Sequence, residues 1–412
     1  MYARKRLDIG WIDLASGLVN AGLPRDRAAI AQRIEQWFSP EGRALCTLSI
    51  RSGLELYLEQ LALPKGSEVL MSAMTIPDMW KVVEHHGLVP VPVDVDARTL
   101  APKMDVLLRA ASSKTRALLV AHLYGTRFDL APYARVCKER GWLLLEDCAQ
   151  AFTGPDYKGH PAADVAMFSF GPIKTSAALA GGVLVVRDAQ VMTPMRAAHA
   201  AWPVQGSGLY AKRVLKYAGL KAVTTPVLYG GFVKWCELKG TTQDAVIQST
   251  VRGFAGGDFW QKIRHQPSAP LLSVIERRVC GFDGARVARR TAIGRRLVER
   301  IGAVASVPGI DAPFHSYWVF TLLVDDPARV VAHLRAHGYD ATTVATLSAL
   351  APPPGREALE PREARAALAR TVYLPVYPEL PERKLEELAQ LLRESASSTA
   401  VAPRDIGLAG IH

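Results

Sequence analysis

Residues 142–188 read WLLLEDCAQAFTGPDYKGHPAADVAMFSFGPIKTSAALAGGVLVVRD and carry the clearest signal for the architecture of this chain. One apolar run ends in Glu146 and Asp147, and a second run at 164–170 is followed by Lys174. Short continuous apolar runs are typical of strands in a parallel sheet that is covered on both faces. Ligands bind at the carboxyl ends of such strands, so the segment also predicts the position of a site.

The same alternation of apolar runs and helical stretches extends to both sides of this segment. Strands are predicted at 67–73, 89–95, 116–123, 142–148, 164–170 and 181–186. Amphipathic helices are predicted between them, at about 54–63, 77–87, 103–112 and 129–140. This order predicts an α/β fold whose large domain is built on a mostly parallel sheet, followed by a smaller C-terminal α+β domain.

We divide the chain into four parts. They are a helical lead-in at 1–40, the large domain at 41–190, an atypical basic and aromatic insert at 191–265, and the small domain at 266–412. The insert lacks the strand–helix alternation, and several of its aromatic residues look exposed, among them Tyr210, Tyr217 and Tyr229.

The composition of the 412 residues is that of an ordinary globular protein, with 49% hydrophobic and 22% charged residues. It excludes a disordered, collagen-like or coiled-coil chain. The five cysteines form no CxxC pair, so we expect a reducing compartment, no disulfide framework and no metal site. No apolar run approaches the roughly 18 residues of a membrane span, and no signal peptide is recognisable. A cytoplasmic protein is therefore expected.

The net charge of +11 is concentrated in the middle of the chain. Residues 209–240 hold six basic residues and one acidic residue, and residues 260–300 hold ten basic and three acidic residues. The arginines at 285–301 could bind an anionic partner or simply frame the apolar stripe of a helix. No nucleic-acid-binding motif accompanies the charge, so nucleic acid is not expected as a partner.

Three roles remain open for the basic residues of the insert. Residues 209–240 could pack between subunits, bind a nucleotide or other anionic substrate, or contact a membrane surface or a lipid-linked substrate. The last role would make the protein peripheral at a membrane.

Asp147 and Lys174, at the ends of neighbouring predicted strands, are the residue types that a pyridoxal phosphate (PLP) site needs. A carboxylate keeps the pyridine nitrogen protonated, so that the ring withdraws electrons, and a lysine forms the Schiff base and then transfers a proton. An acid and a lysine near strand ends are also the parts of an ordinary ion pair, so the spacing alone does not decide between the two.

Five elements in order give the sequence a resemblance to a known family. They are HLYG at 122–125, EDCAQA at 146–151, the pattern FSFxPxK at 168–174, the Gly-Gly strand at 181–186 and LPVYP at 374–378. The sequence resembles the DegT/DnrJ/StrS family of fold-type I PLP-dependent enzymes, best known as aminotransferases of nucleotide-linked keto-sugars. Order and spacing agree across about 45–190 and, more loosely, across 270–395.

The resemblance implies a role for each matching residue. Lys174 would form the Schiff base and carry the proton, and Asp147 would bond the pyridinium nitrogen. Gln150 would lie beside the phenolic oxygen of the cofactor, and Ser169 would bind its phosphate. A side branch of the family acts as a dehydratase and has histidine at the lysine position, so Lys174 favours transamination.

Two segments depart from the family pattern. The phosphate loop, usually Asn/Ser-Gly-Thr, reads Ser-Ile-Arg-Ser-Gly at 49–53, where Arg51 and Ser52 occupy the expected contact positions. A helix N-terminus there would still offer N–H groups to a phosphate. Where the family places an aromatic ring against the cofactor, this sequence has Ile76, with Trp80 one helical turn further as the alternative.

The family's sites are completed by a second subunit, so a homodimer with shared active sites is expected. By position, Arg264 or Ser268 would contact the neighbouring cofactor phosphate. The resemblance implies an aminotransferase that takes its amino group from an amino acid, with glutamate as the expected donor, and passes it to a keto-sugar that is nucleotide- or lipid-linked. The alternatives are a PLP-dependent dehydratase or eliminase and a non-catalytic regulator on the same fold.

Overall fold

A computed structural model describes residues 1–251, 258–344 and 346–397. Two helices, α1 (Trp11–Gly22) and α2 (Arg27–Phe38), come first. They are followed by β1 (Ala44–Thr47), α3 (Ile50–Leu61), β2 (Glu68–Ser72), β3 (Met74–Thr75), α4 (Pro77–His85), β4 (Val89–Val93), α5 (Met104–Ala110), β5 (Thr115–Ala121), β6 (Thr126–Arg127), α6 (Ala131–Arg140), β7 (Leu143–Asp147), β8 (Val165–Ser169) and β9 (Gly182–Val186).

Helices dominate the second half of the chain. In order they are α7 (Ala189–Ala201), α8 (Ser207–Val223), α9 (Pro226–Leu238), α10 (Gln243–Val251), α11 (Phe259–Ile263), α12 (Ala269–Cys280) and α13 (Gly284–Ile301). The C-terminal part continues with β10 (Phe314–His315), β11 (Phe320–Leu323), α14 (Pro327–Ala336), β12 (Ser348–Ala349), α15 (Arg362–Arg370), β13 (Thr371–Leu374) and α16 (Glu382–Ser397). The four-part division of the chain stays a prediction.

Seven strands form one sheet in the order β1–β9–β8–β7–β5–β2–β4. The five strands from β8 to β4 run parallel, whereas β9 is antiparallel to both β8 and β1. The predicted α/β fold with a mostly parallel sheet is therefore confirmed, and all six predicted strands are present. The sequence analysis missed β1, because four residues are too few to show a pattern.

The sheet is buried on both faces, as the continuous apolar runs predict. Leu119 and Leu145 pack into the cluster that α3 and α4 cover, whereas Leu118 and Leu144 pack into the cluster that α5 and α6 cover. Successive side chains of a strand point to opposite faces, so a strand that is covered twice has no polar positions in its centre.

Helix α3 begins where the chain passes closest to β9. The Ser49 side chain caps the helix by accepting a hydrogen bond from the Ser52 N–H at 3.2 Å. A Cβ atom on Gly53 would lie 2.0 Å from Leu184 Cδ1, so only glycine allows this approach. The first turn of α3, which carries Arg51, is thereby held against the sheet.

The insert is helical, and part of the expectation for its aromatic residues is wrong. Tyr210 and Tyr217 lie on the side of α8 that faces the core, and Tyr229 lies on the inner side of α9; all three are buried. Helix α8 packs on α1 and α12, where Gly17 of α1 meets Val214. Aromatic residues at helical spacing here form a core rather than an exposed surface.

Most of the charge at 260–300 is neutralised within the chain. Arg277 and Arg278 pair with Asp13, and Arg278 also pairs with Asp8. Arg286 pairs with Asp8 and Glu379, and Arg296 and Arg300 pair with Glu382. The arginines of α12 and α13 therefore bind other parts of the protein, which favours the structural alternative for this segment.

The C-terminal part has its own small sheet, in which β11 pairs with β13 antiparallel. Helices α13, α14 and α16 pack around it in one apolar cluster. Two short ladders, β10–β6 and β12–β3, join this part to the large domain near the carboxyl ends of β5 and β2. Among the residues described, no helix combines the length and hydropathy that crossing a bilayer requires.

Candidate active site

The carboxyl ends of β7 and β8 bring the predicted catalytic residues to one edge of the sheet. Strand β7 ends at Asp147, and the parallel strand β8 ends at Ser169, five residues before Lys174. The Asp147 carboxylate interacts electrostatically with the Lys174 amine. The structure thus brings together the acid and the lysine that the sequence analysis selected.

Lys174 is a partly buried amine whose pKa is lowered to about 8. Burial is the main cause, and the positive charge of Arg51 adds to it, whereas Asp147 acts in the opposite direction. At neutral pH about a tenth of the amine is unprotonated, against about one part in three thousand for an ordinary lysine. A lysine in this state can act as a nucleophile.

Asp147 is a buried carboxyl group with one unused oxygen. Its Oδ1 accepts a hydrogen bond from the Ala149 N–H at 2.8 Å, and Oδ2 accepts none from the described residues. Its pKa is raised, because burial outweighs the lowering effects of the Ala149 hydrogen bond and of the charges of Lys174, His122 and Arg51. A buried carboxylate of this kind is suited to a cationic hydrogen-bond donor.

A hydrogen-bonded network lies behind Asp147. His122 Nε2 lies 3.0 Å from Glu146 Oε1, and the Tyr157 hydroxyl donates to the same oxygen. The His160 N–H donates to Oε2 at 2.7 Å. Burial would raise the pKa of Glu146, but these hydrogen bonds and the charge of His122 outweigh it and lower the pKa to about 2.

His122, Glu146 and Cys148 have ligand atoms close enough together to hold a metal ion. Both oxygens of Glu146 already accept hydrogen bonds, however, so the group serves as an internal network in this structure. Glu146 and Asp147 alternate along β7, which places the network and the candidate site on opposite faces of the strand.

Gln150 and Ser169, the other two predicted cofactor contacts in this segment, lie near the same sheet edge. Gln150 Oε1 accepts a hydrogen bond from the Tyr124 N–H at 2.8 Å, while its Nε2 makes no hydrogen bond with described residues and stays available as a donor. Ser169 Oγ accepts a long hydrogen bond of 3.4 Å from the Gly171 N–H. Their roles toward a cofactor stay predictions.

Arg51 and Ser52 lie in the first turn of α3, but their side chains are engaged differently. Arg51 Nη1 lies 3.5 Å from Asp78 Oδ2, and its charge acts on both Asp147 and Lys174. The Ser52 hydroxyl lies 3.0 Å from the Ser49 hydroxyl inside the helix cap. Arg51 therefore joins the candidate site electrostatically, whereas the contacts of Ser52 are those of a helix cap.

The remaining expectations concern α4 and the start of α12. Ile76 immediately precedes α4, and both Ile76 and Trp80 pack on the apolar cluster around that helix, so the choice between them stays open.

Arg264 Nε donates to Glu55 at 2.6 Å on the same chain. The Ser268 hydroxyl is buried and has no hydrogen-bond partner among the described residues. Contact of either residue with a second subunit stays a prediction.

Trp318 and Lys5 lie near Lys174, and Arg290 contacts the next residue, Thr175; none of the three was predicted from the sequence. The Trp318 ring centre lies 4.6 Å from Lys174 Nζ and 3.7 Å from Lys5 Nζ, and its indole N–H donates to the Ile173 carbonyl at 2.9 Å. Arg290 donates from Nη1 to the Thr175 hydroxyl at 3.2 Å. No local motif points to these residues, because they come from three distant parts of the chain.

Solved structures with the same architecture identify the class of fold. The structure of "an aminotransferase TlmJ from Streptoalloteichus hindustanus" superposes with a TM-score of 0.68 at 21% identity, covering 97% of this chain and 100% of that one. The structure of "Helicobacter pylori PseC, aminotransferase involved in the biosynthesis of pseudoaminic acid" gives 0.67 at 12% identity, with coverages of 96% and 99%. The chain therefore has the fold of fold-type I PLP-dependent transferases, as predicted.

The sequence comparisons identify the family of the large domain. Residues 29–220, slightly less than half of the chain, match the sequence model of the DegT/DnrJ/EryC1/StrS aminotransferase family. GDP-perosamine synthase of Escherichia coli O157:H7 is 28% identical over 193 residues, which are 45% of this chain and 50% of that protein.

A second relative agrees with the first. UDP-N-acetyl-3-dehydro-alpha-D-glucosamine 3-aminotransferase of Acidithiobacillus ferrooxidans is 33% identical over 155 residues, which are 36% of this chain and 42% of that protein. The chain thus matches these curated relatives over about half of their length or less. The resemblance predicted from the sequence is confirmed over the matched segment, which contains Asp147 and Lys174.

Proposed function

We propose that this protein is a PLP-dependent aminotransferase that takes its amino group from an amino acid, with glutamate as the first candidate. The observation that supports this best is the partly buried amine of Lys174, with a lowered pKa, interacting with the buried carboxylate of Asp147 at the carboxyl edge of the sheet. Both residues lie in the segment that matches the aminotransferase family.

The residues present fit PLP. Among the described residues, Asp147 Oδ2 has no hydrogen-bond donor, as a pyridinium N–H requires, and the Gln150 amide N–H has no acceptor and could reach the phenolic oxygen. Arg51 and the N–H groups at the start of α3 supply positive charge for a phosphate. When bound, PLP supplies an electron-withdrawing ring.

The residues of the chain divide the chemistry between them. Unprotonated Lys174 would be the amine that holds the cofactor through its aldehyde, and it would carry a proton between the substrate α-carbon and the cofactor C4′ carbon. Asp147, as a carboxylate, would accept a hydrogen bond from the ring N–H and so keep the ring nitrogen protonated. Burial, with a smaller contribution from the charge of Arg51, keeps the pKa of Lys174 low, so that a neutral amine is available near physiological pH.

The amino acceptor is proposed to be a keto-sugar, nucleotide- or lipid-linked. Two matched relatives support this class, since one is named for a GDP-linked sugar and the other for a UDP-linked dehydro-sugar. Elimination with the same cofactor is the second candidate chemistry. A regulator is the third, and a further relative, of Saccharopolyspora erythraea, is named "Erythromycin biosynthesis sensory transduction protein EryC1".

Absorbance spectroscopy tests the proposed chemistry. The purified protein should absorb visible light through bound PLP, and glutamate should bleach this absorbance as the amino group transfers. Borohydride reduction and peptide mapping should label residue 174. Lys174→Ala should abolish turnover, whereas Lys138→Ala, at an exposed position on α6, should not.

Each alternative outcome has a clear meaning. A bound cofactor that no amino donor bleaches would favour elimination, and a colourless protein would favour a regulator. Labelling at a different lysine would refute the assignment of Lys174.

A homodimer is proposed as the working form, since we expect a second subunit to complete each site. The segment that we expect to reach it lies close to α3 and α4: Arg264 Nη2 lies 3.2 Å from His85 Nε2, and Trp260 stacks on the same His85. Analytical ultracentrifugation should show a dimer at working concentration. An active monomer would contradict the proposal.

We also propose that the protein binds an anionic membrane surface through α1, α8 and α9. These helices expose apolar side chains, namely Trp11, Ile12 and Val19 on α1, Leu209 and Leu215 on α8, and Val227, Leu228, Trp235 and Leu238 on α9. The three helices are neighbours, since α8 packs on both of the others and Lys221 Nζ lies 5.8 Å from the Trp11 ring centre. We call this set the apolar surface.

Helix α9 is apolar on two opposite sides. Tyr229 and Val233 lie buried on the inner side, whereas Val227 and Leu238 are 86% and 87% exposed on the outer side. Outward apolar residues recur here at the helical period, so they form a stripe rather than isolated exceptions. An amphipathic helix lying in a membrane interface buries such a stripe among the lipid headgroups.

The charges beside the apolar surface favour lipid over a second copy of the chain. Lys212 and Lys216 of α8, and Lys234 of α9, are exposed, and none has a carboxylate within 4 Å among the described residues. In an interface with two-fold symmetry the same basic patch would occur on both copies, which adds repulsion. Anionic headgroups instead attract each lysine by about 1 kcal/mol.

Vesicle sedimentation tests the membrane proposal. The protein should pellet with vesicles of phosphatidylcholine and phosphatidylglycerol but not with phosphatidylcholine alone, and added salt should release it. The double variant Val227→Ser/Leu238→Ser should lose binding, and Leu108→Ser, at an exposed leucine on α5, should keep it. Vesicle binding by the double variant would refute the proposal. So would a parent that does not bind vesicles, together with a double variant that is a monomer where the parent is a dimer.

A further inference from the structure

The side of Lys174 that faces Trp318 carries more positive charge than its surroundings neutralise. Lys5 Nζ lies over the Trp318 ring, which it shares with Lys174, and its one hydrogen bond is a 3.5 Å contact with the Trp318 carbonyl. The pKa of Lys5 is lowered well below its ordinary value by burial and by the charges of Arg290 and Lys174. The Lys5 amine is therefore close enough to both the Lys174 amine and the Arg290 guanidinium to be affected by their charges.

Arg290 is the most deeply buried of these cations, with 8% of the residue exposed. Its Nε donates to the Ser316 carbonyl at 2.8 Å and its Nη1 to the Thr175 hydroxyl, so the guanidinium is held in place. Nη2 is buried and has no hydrogen-bond partner among the described residues. Burial lowers the pKa of Arg290 to about 10, which means that its charge is poorly compensated.

The nearest acid does not supply the missing negative charge. Asp8 already accepts hydrogen bonds from Arg278, Arg286 and the Ser176 N–H. Within the part of the chain that the structure describes, no carboxylate lies within 4 Å of the charged nitrogens of Lys5, Lys174 or Arg290. A buried guanidinium with an unused N–H is costly unless a partner arrives.

We infer that Arg290 and Lys5 form a carboxylate-binding subsite beside Lys174, which receives a carboxylate of the amino donor. The inference rests on the proposed aminotransferase function, because that function places an amino acid next to Lys174. Arg290 Nη2 and Lys5 Nζ each have an unused N–H, and hydrogen bonds between such cations and a carboxylate are stronger than neutral ones. The bound carboxylate would neutralise charge that the folded chain leaves uncompensated.

The subsite also explains how a donor is positioned. Thr175 follows Lys174 directly in the chain, and Arg290 bonds to Thr175, so the guanidinium is tied to the loop that carries the reacting amine. Trp318 is tied to the same loop through Ile173. A carboxylate fixed by Arg290 and Lys5 would therefore be fixed relative to Lys174.

Direct binding of glutarate, a dicarboxylate without an amino group, tests the subsite. Isothermal titration calorimetry on the full chain should detect glutarate binding with and without PLP. Lys5→Met and Arg290→Lys should each weaken it by about tenfold or more, since each removes or displaces a charged hydrogen bond. Arg289→Gln, at an exposed neighbour on the same helix, should bind glutarate like the parent.

The site could also attract the phosphate of a nucleotide-linked acceptor, so inorganic phosphate is titrated in parallel. Phosphate binding that both variants weaken, with glutarate binding unchanged, would overturn the assignment to a donor carboxylate. Glutarate binding that neither variant weakens would overturn the subsite itself. The two variants change different segments of the chain: Arg290→Lys keeps a cation on α13, and Lys5→Met lies in the N-terminal segment. If one variant fails to fold, the other still tests the subsite.

The half-reaction with glutamate separates this inference from the proposed function. Suppose that glutamate bleaches the parent, and that the variants reach half-maximal bleaching at the same glutamate concentration as the parent. The subsite is then refuted, while the proposed aminotransferase function is supported. If no amine bleaches the parent, the aminotransferase fails, while glutarate binding still tests the subsite.

Discussion

The partly buried amine of Lys174 should destabilise the cofactor-free protein at neutral pH. The pKa of Lys174 falls from 10.5 to about 8 on folding, a difference of about 2.5 units. At about 1.36 kcal/mol per unit this corresponds to about 3 kcal/mol of unfolding free energy. Between pH 8 and 10.5 the unfolded chain binds more protons than the folded chain, so stability rises with pH across this window.

Lys174→Met removes the titrating group and should remove this pH dependence. Relative to the parent, its free energy of unfolding should be about 3 kcal/mol higher at pH 7 than at pH 10.5, which means that the variant gains stability at neutral pH. Urea unfolding of the PLP-free proteins, followed by circular dichroism at both pH values, measures the difference. The comparison between two pH values cancels the change in packing that methionine introduces at either pH.

Lys138→Met, at an exposed lysine, serves as the control and should show the same difference from the parent at both pH values. The reasoning would be refuted if Lys174→Met and the parent changed in parallel between pH 7 and 10.5. In that case the Lys174 amine would not be held in a low-pKa state by burial.

Four further substitutions, one of them a control, test other parts of the site and its support. Gly53→Ala should cost about 1–3 kcal/mol by thermal unfolding, because its Cβ would overlap a leucine of β9, whereas Gly219→Ala, where the Cβ meets nothing, should stabilise α8 by up to about 1 kcal/mol. His122→Asn should cost about 3 kcal/mol above pH 4.5, with the loss shrinking toward pH 2, because the pKa of Glu146 is held near 2 in the fold and its stabilising effect disappears as it protonates. Asp147→Asn should lower kcat for transamination by about 100-fold or more while circular dichroism stays unchanged, since it removes the charge but keeps the size.

The sheet and the central pair of the site could be predicted because local sequence fixes both. Asp147 and Lys174 follow strands whose apolar runs are recognisable, and parallel neighbours end at the same edge. The motif around each residue is short and continuous. Neither prediction required knowledge of which distant residues meet.

The residues around Lys174 could not be predicted for the opposite reason. Lys5 and Trp318 are separated by 313 positions, and Arg290 lies in a third segment. Each belongs to a stretch whose composition is ordinary, so only the packing of the N-terminal segment and the C-terminal part against the β8 loop brings them together. Sequence patterns reveal local hydrophobic periodicity and secondary-structure propensity. A contact between distant segments leaves no such local pattern.

The two basic parts of the chain show that composition alone does not tell which positive charges are neutralised in the folded protein. The insert and α12–α13 are both strongly basic in sequence, yet most arginines of α12–α13 form ion pairs, several of them with Asp8 and Asp13 from the first part of the chain. The lysines at 212, 216 and 234 have no such acids nearby among the described residues and lie beside exposed apolar side chains. The positive charge that is free to attract an anionic surface therefore belongs to the insert, although the count of basic residues alone would favour α12–α13.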